Sequence, residues 1–170
     1  MASGFRPTVF ARLGFLRMAH PRFELAVVLE RRILTNPWQS AQWIASEVRM
    51  GSHGDQVIRL CASPEGEKWL YPGFWLQFYT DEAEGYFLNV SAAQPFIFVA
   101  WRMEGDMAVP HAVSASYNEA SRWLDAGETV EGLPMPEEVR VAAGAFALNF
   151  YRPEPKRARP PSFEGARRSE

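Results

Sequence analysis

The chain has 170 residues, of which 47% are hydrophobic and 14% aromatic, with six Trp and twelve Phe. A chain of ~150 residues buries roughly 70% of its unfolded surface, so this much core-forming material excludes an intrinsically disordered protein. The single cysteine, Cys61, excludes an internal disulfide framework and a multi-cysteine metal site, and it fits a reducing compartment.

The net charge of −2 is unevenly divided. Residues 1–22 carry Arg6, Arg12, Arg17 and Arg22 without an acid, and residues 152–170 carry six basic residues against three acids. The span between them holds 8 basic and 17 acidic residues. This layout predicts a flexible basic N-terminal extension over 1–22, one domain over 23–151 and a Pro/Arg-rich tail over 152–170. An acidic body repels phosphate backbones, so nucleic acid is not an expected partner.

In the N-terminal segment, Arg12 and Arg17 split Val9, Phe10, Leu13, Phe15 and Leu16 into runs too short for a signal peptide. No stretch elsewhere reaches the ~18 apolar residues of a transmembrane helix, so the expected location is cytoplasmic. Met18 is an alternative start.

Phe23–Glu30 reads as the first strand, and Asn36-Pro37 breaks it. A second strand centres on Trp43-Ile44-Ala45 and Val48, Gly51-Ser52-His53-Gly54 forms a turn, and Val57–Ala62 is a third strand. Lys68–Tyr71 and Phe74–Tyr79 read as strands flanking Pro72-Gly73. Gly85–Val90 and Phe96–Met103 read as strands flanking Gln94-Pro95, with Asp81–Gly85 as an acidic hairpin turn. A short strand follows near Ala112-Val113.

The period then changes. Ser116-Tyr117-Asn118-Glu119 has the form of a capping box, and Tyr117, Ala120, Trp123 and Leu124 recur at helical spacing up to Gly127. Glu137 and Glu138 open a second helix with Val139, Ala142, Ala143, Phe146 and Phe150 on one stripe. The predicted fold is α+β: a curved or barrel-like, mostly antiparallel sheet of about seven strands, followed by two C-terminal helices packing on it.

No nucleophile elbow, phosphate loop or metal-ligand spacing interrupts these elements, so neither catalytic residues, metal ligands nor a cofactor are expected. His20, His53 and His111 are predicted to be exposed, and Cys61 to be a small buried hydrophobe. Arg31 and Arg32 beside Trp38, Gln39 and Trp43 form the leading candidate contact surface. Guanidinium groups clamp carboxylate or phosphate, and indoles stack on a ligand or partner. Glu82, Glu84, Tyr117 and Asn118 are secondary candidates, with Glu119 and Ser116 already occupied by capping.

The motifs Glu30-Arg31-Arg32, Asn36-Pro37-Trp38-Gln39, Trp69-Leu70-Tyr71-Pro72-Gly73-Phe74, Asp81 through Asn89, Val99-Ala100-Trp101-Arg102 and Ser116–Ala120 carry a resemblance. Together with Leu133–Val139 and Tyr151–Arg157, they resemble a bacterial family named domain of unknown function 3305, over about residues 23–163. Members of that family tend to be encoded beside molybdenum-dependent formate dehydrogenases, and some carry labels linking them to molybdopterin-guanine dinucleotide synthesis. The resemblance implies a non-catalytic accessory factor for maturation or assembly of such a dehydrogenase, binding one of its subunits or its maturation machinery. The alternative is a module that binds a pterin or nucleotide between Trp side chains.

Overall fold

The computed structural model describes residues 20–36 and 38–153. The N-terminal extension up to Ala19 with the alternative start Met18, Pro37, and the tail from Glu154 lie outside the described residues. Strands β1 (Arg22–Asn36), β2 (Gln39–Met50), β3 (Ile58–Ser63) and β4 (Gly66–Gln77) form one sheet in the order β2-β1-β4-β3. Strands β5 (Phe96–Glu104), β6 (Met107–Ser114) and β7 (Thr129–Pro134) form a second, in the order β6-β5-β7. A 3-10 turn at Thr80–Glu82 leads into helix α1 (Ala83–Val90), and α2 (Tyr117–Asp125) and α3 (Glu137–Phe150) follow. Every strand pair is antiparallel, and the architecture is α+β as predicted, built as two open sheets rather than a closed barrel.

Strand β1 organises the larger sheet because its side chains alternate at the two-residue period of a strand. Leu25, Val27 and Leu29 face the main core, Ala26 and Val28 lie on the opposite face with Leu70, and all of these are buried. Each large aliphatic side chain so removed from water contributes roughly 1.5–3 kcal/mol. Two bulges bend the strands around this row. On β2, Val28 pairs with Glu47 and Leu29 with Ala45, which leaves Ser46 as the extra residue. On β4, Val27 pairs with Tyr71 and Leu25 with Phe74, so Pro72 and Gly73 form the irregularity, with Gly73 at φ +85°. The two strands predicted on either side of Pro72-Gly73 are therefore one strand.

Two other expectations change for physical reasons. Gly85–Val90 is helical, and Asp81–Gly85 is the entry to that helix, not a hairpin turn. Ala83, Tyr86 and Asn89, three residues apart, form its buried face, a helical spacing hidden within an aromatic-rich run. Gly85 permits the close approach of α1 to α2, since a Cβ there would lie 2.1 Å from Ser116 Oγ and 3.1 Å from the Asn118 nitrogen. β7 was absent from the sequence reading because Glu131, Gly132 and Pro134 are poor strand formers. Its pairing with β5, Ile97 opposite Leu133 and Val99 opposite Glu131, supplies the strand that propensity did not. Cys61 is exposed rather than buried, because β3 is an edge strand and every one of its residues is exposed.

The core joins both sheets to α1 and α3. Ile97 and Val99 from β5 face Leu25, Val27 and Leu29, and Val139, Ala143, Phe146 and Ala147 close one end. There Phe78, Tyr86 and Phe146 stack with ring centroids 4.9–5.8 Å apart. Burial pushes the Tyr86 phenol well above its ordinary range, and its oxygen accepts the Tyr79 amide at 3.1 Å. The predicted C-terminal helices are α2 and α3. α2 lies on the outer face of the second sheet, where Tyr117 meets Phe98 edge-on at 6.1 Å.

Asn89, 2% exposed, ties α1 to the start of β5 and the end of β6. Its Nδ2 donates to the carbonyls of Phe96 at 2.7 Å and Ala115 at 2.8 Å, and its Oδ1 accepts the Phe96 amide at 3.0 Å. Asn89→Ala is expected to lower unfolding stability by about 3 kcal/mol, measured by urea denaturation, because three buried backbone groups lose their partner. A loss below about 0.5 kcal/mol would show that this bridge does not hold α1 in place.

Candidate functional site

The end of the molecule opposite the α1–α3 pair is open. The hairpin formed by β1 and β2 runs past the end of the second sheet, so among the described residues no layer covers the core-facing side of its far end. Ile33 pairs with Ala41 there and is 45% exposed, and Trp38 at the hairpin tip is 92% exposed. At the rise of a strand, the tip stands roughly 15 Å beyond the Arg31–Trp43 pair. Beneath this overhang lies a cleft of about 500 Å³, lined by Arg31, Ala41, Trp43, Glu67, Met103, Asp106 and Met107.

The geometry divides the residues that the sequence groups together. Arg31 and Trp43 are cross-strand partners on the core-facing side, and both line the cleft, although Trp43 is itself largely buried. Arg31 Nη1 lies 3.7 Å from Glu67 Oε1. Arg32, one residue on, projects from the opposite face of the sheet, where its Nε donates to Glu30 Oε1 at 2.9 Å. Trp38 and Gln39 occupy the tip, both exposed. Glu67, Met103, Asp106 and Met107 were not singled out in the sequence. The β5–β6 hairpin brings three of them to the cleft across a large sequence separation, which leaves no local signal.

The secondary candidates form a separate structural network. Ser116 caps α2 by accepting the Glu119 amide at 3.1 Å, and Ser114 Oγ donates to Glu119 Oε2 at 2.6 Å while accepting the Ser116 amide at 2.9 Å. The capping box thus closes through Ser114. Glu82 accepts from Ser116 Oγ and pairs with Arg122, joining the start of α1 to α2. Glu84 accepts from the Tyr151 hydroxyl at 3.3 Å, Tyr117 packs on Phe98, and Asn118 is partly buried at the start of α2. These contacts join helices to each other and to the second sheet.

The histidines are dispersed. His20 Nδ1 is 2.8 Å from the Phe78 carbonyl oxygen and its ring packs on Phe146, His53 Nε2 is 3.2 Å from the Met50 carbonyl oxygen, and His111 Nε2 is 3.5 Å from Glu128. His20 and His111 are exposed as expected, whereas His53 is partly buried. Among the described residues, no group of three His, Cys, Asp or Glu side chains has the geometry to hold a metal ion. No helix of the described residues is long and apolar enough to cross a membrane.

On the outer face beside the hairpin, the Arg32 hydrogen bond and the nearby charges of Lys68 and Arg32 hold the Glu30 carboxyl below its ordinary value of 4.5 despite some desolvation. A depressed carboxylate stabilises the fold above its unfolded value, and that contribution disappears as pH falls through the folded value. Glu30→Gln is therefore expected to reduce the loss of Tm between pH 6 and pH 3, with the larger effect of the wild-type carboxylate confined to the neutral side. An unchanged pH profile would remove the linkage; the pair is solvent-exposed, so the effect is modest.

No curated protein and no solved structure matches the chain. The sequence matches a family model described as "Protein of unknown function (DUF3305)" over residues 24–160, a span that takes in both sheets and all three helices. The chain belongs to the DUF3305 family.

Proposed function

We propose that this protein is a non-catalytic binding factor that docks a partner protein on the overhanging β1–β2 hairpin and the cleft below it. The observation that supports this reading is the 92% exposed Trp38 on a projecting hairpin, above a cleft edged by Arg31 and by Met103 and Met107. Trp and Arg are over-represented among the residues that dominate protein interfaces, and methionines adapt to the partner's shape. The charges favour a protein over a phosphate-bearing ligand. Glu67 already faces Arg31, and Asp106 adds a second carboxylate to the same cleft.

The partner and setting proposed, on the resemblance alone, are a subunit of a molybdenum-dependent formate dehydrogenase, or its maturation machinery, in a bacterial cytoplasm. In this reading the protein assists maturation or assembly by holding that partner. A second reading, binding of a pterin, is favoured by one observation, a cleft volume within the ~300–1,000 Å³ of small-molecule sites with an indole in its wall. Quenching of tryptophan fluorescence by a pterin would support it, and unchanged emission at millimolar pterin would remove it.

The test is purification of the tagged protein from its native host grown on formate, with mass spectrometry of the eluate and measurement of molybdenum. Co-elution of a dehydrogenase subunit, lost in the folded double variant Trp38→Ala with Arg31→Ala and retained in Arg32→Ala, is the expected outcome. Retention of the subunit by the folded double variant would reject this surface, and a metal-free protein eluting alone would reject the proposed partner.

A further inference from the structure

A second opening lies on the flank of the molecule, between the edges of the two sheets. β3 pairs with β4 only as far as Leu70, and among the described residues no strand pairs with that side of β4 from Tyr71 to Gln77. β6 is the outer strand of the second sheet, so its far side also lacks a strand partner among the described residues. Residues of both edges line one groove, and β6 carries a bulge at His111 there. At one end they are joined where the Tyr71 hydroxyl donates to the Ala108 carbonyl at 2.8 Å. From that contact both strands proceed in the same chain direction and separate around a groove of about 420 Å³, which residues 73–77 of β4 and 111–113 of β6 help to line.

At the joined end the contact is made by a side chain and not by a ladder. Pro72 and Pro110 stand near the joined end, and each lacks the amide donor that a ladder requires. Across the wider part neither Gly73–Gln77 nor His111–Val113 contains proline, so backbone donors and acceptors persist on both banks. The walls are aromatic: Phe74, Trp75, Tyr79 and Trp123 line the groove, with Trp75 46% and Tyr79 49% exposed. Glu119 is the sole Asp, Glu, Lys or Arg among the lining residues, with His111 and Tyr79 the other titratable side chains, while the Arg22 guanidinium covers the Trp75 ring at 3.7 Å on the groove's margin. Glu119 Oε2 already accepts from Ser114, and a carboxylate retains further acceptor sites.

We infer that this groove receives an extended segment of a partner protein, which adds a strand between β4 and β6, places apolar side chains on the aromatic walls and directs a Lys or Arg to Glu119. Two strand edges lining one groove select a peptide backbone, because main-chain hydrogen bonds give affinity to strand addition and side-chain pockets give it specificity. Charge complementarity to the lone lining carboxylate selects the basic residue. This site is separate from the β1–β2 overhang and its occupancy does not depend on that surface.

The test is to pan a phage-displayed library of random peptides on the full chain, synthesise the enriched sequence, and follow its binding by fluorescence anisotropy and backbone hydrogen exchange. The expected peptide carries Lys or Arg, slows exchange of amides within 73–77 and 111–113 at least about tenfold, and binds Glu119→Gln about tenfold more weakly. Its affinity is expected to be unchanged by Trp38→Ala with Arg31→Ala, which separates this site from the proposed hairpin surface. Exchange on the wild-type chain decides the matter even where Glu119→Gln alters folding. Absence of enrichment, or protection confined to any other segment, would overturn the inference.

Discussion

The apolar side chains of β1 and β5 hold the two sheets together, and two polar contacts join their margins and bear on where the molecule is open. At the β2–β7 margin, the Glu131 carboxylate accepts both the Ala45 amide and the Trp101 indole N–H, the latter at 3.0 Å. At the β4–β6 margin, Tyr71 donates to Ala108. Both satisfy groups that would otherwise lose hydration in a partly buried setting, so each contact carries the cost of an unpaired polar group if broken. Between them the apolar side chains of β1 and β5 meet. Beyond them the sheets diverge.

The bulges complete this arrangement. The extra residue Ser46 in β2 shifts the register between Glu47 and Ala45, next to the Ala45 amide that turns to Glu131. The Pro72-Gly73 irregularity re-aims β4 immediately after Tyr71. A bulge increases local twist and alters the direction of a strand, so these two positions tilt one sheet relative to the other. The open mouth under Trp38 and the flank groove beside Trp75 are the geometric remainder of a sandwich that is joined at its margins without closing into a barrel.

Burial of polar groups distinguishes the fastened part of the molecule from its two openings. Asn89, Ser114 and Ser116 are the buried polar residues, each with named partners, and they fasten α1 and α2 to the second sheet. By contrast Trp38, Trp75, Tyr79 and Met103 are large apolar groups with 46–92% exposure at the two openings, Trp75 with the Arg22 guanidinium over its ring. An apolar group at such a place contributes little to the core.

The sequence alone determined β1, β2 and β3 of the first sheet in outline, the capped start of α2 and the stripe of α3, because alternation, glycine turns and a Ser-x-x-Glu box are local signals written within a few residues, whereas the continuity of β4 through Pro72-Gly73 came from its pairing with β1. It also singled out Arg31, Trp38 and Trp43, since a cluster of guanidinium and indole groups beside a turn is visible without a fold. Tertiary structure decided the rest. Gly85–Val90 is a helix because three-residue spacing buries Ala83, Tyr86 and Asn89 together, and β7 is a strand because β5 offers it a ladder that its own Glu, Gly and Pro residues disfavour. Arg31 and Arg32 are adjacent in the chain, yet the pleat sends them to opposite faces, one to the cleft and the other to Glu30. Glu67, which meets Arg31 from the neighbouring strand, and Asp106, which the second sheet brings to the same cleft, are distant from it in sequence, and such long-range placement leaves no trace in any local pattern.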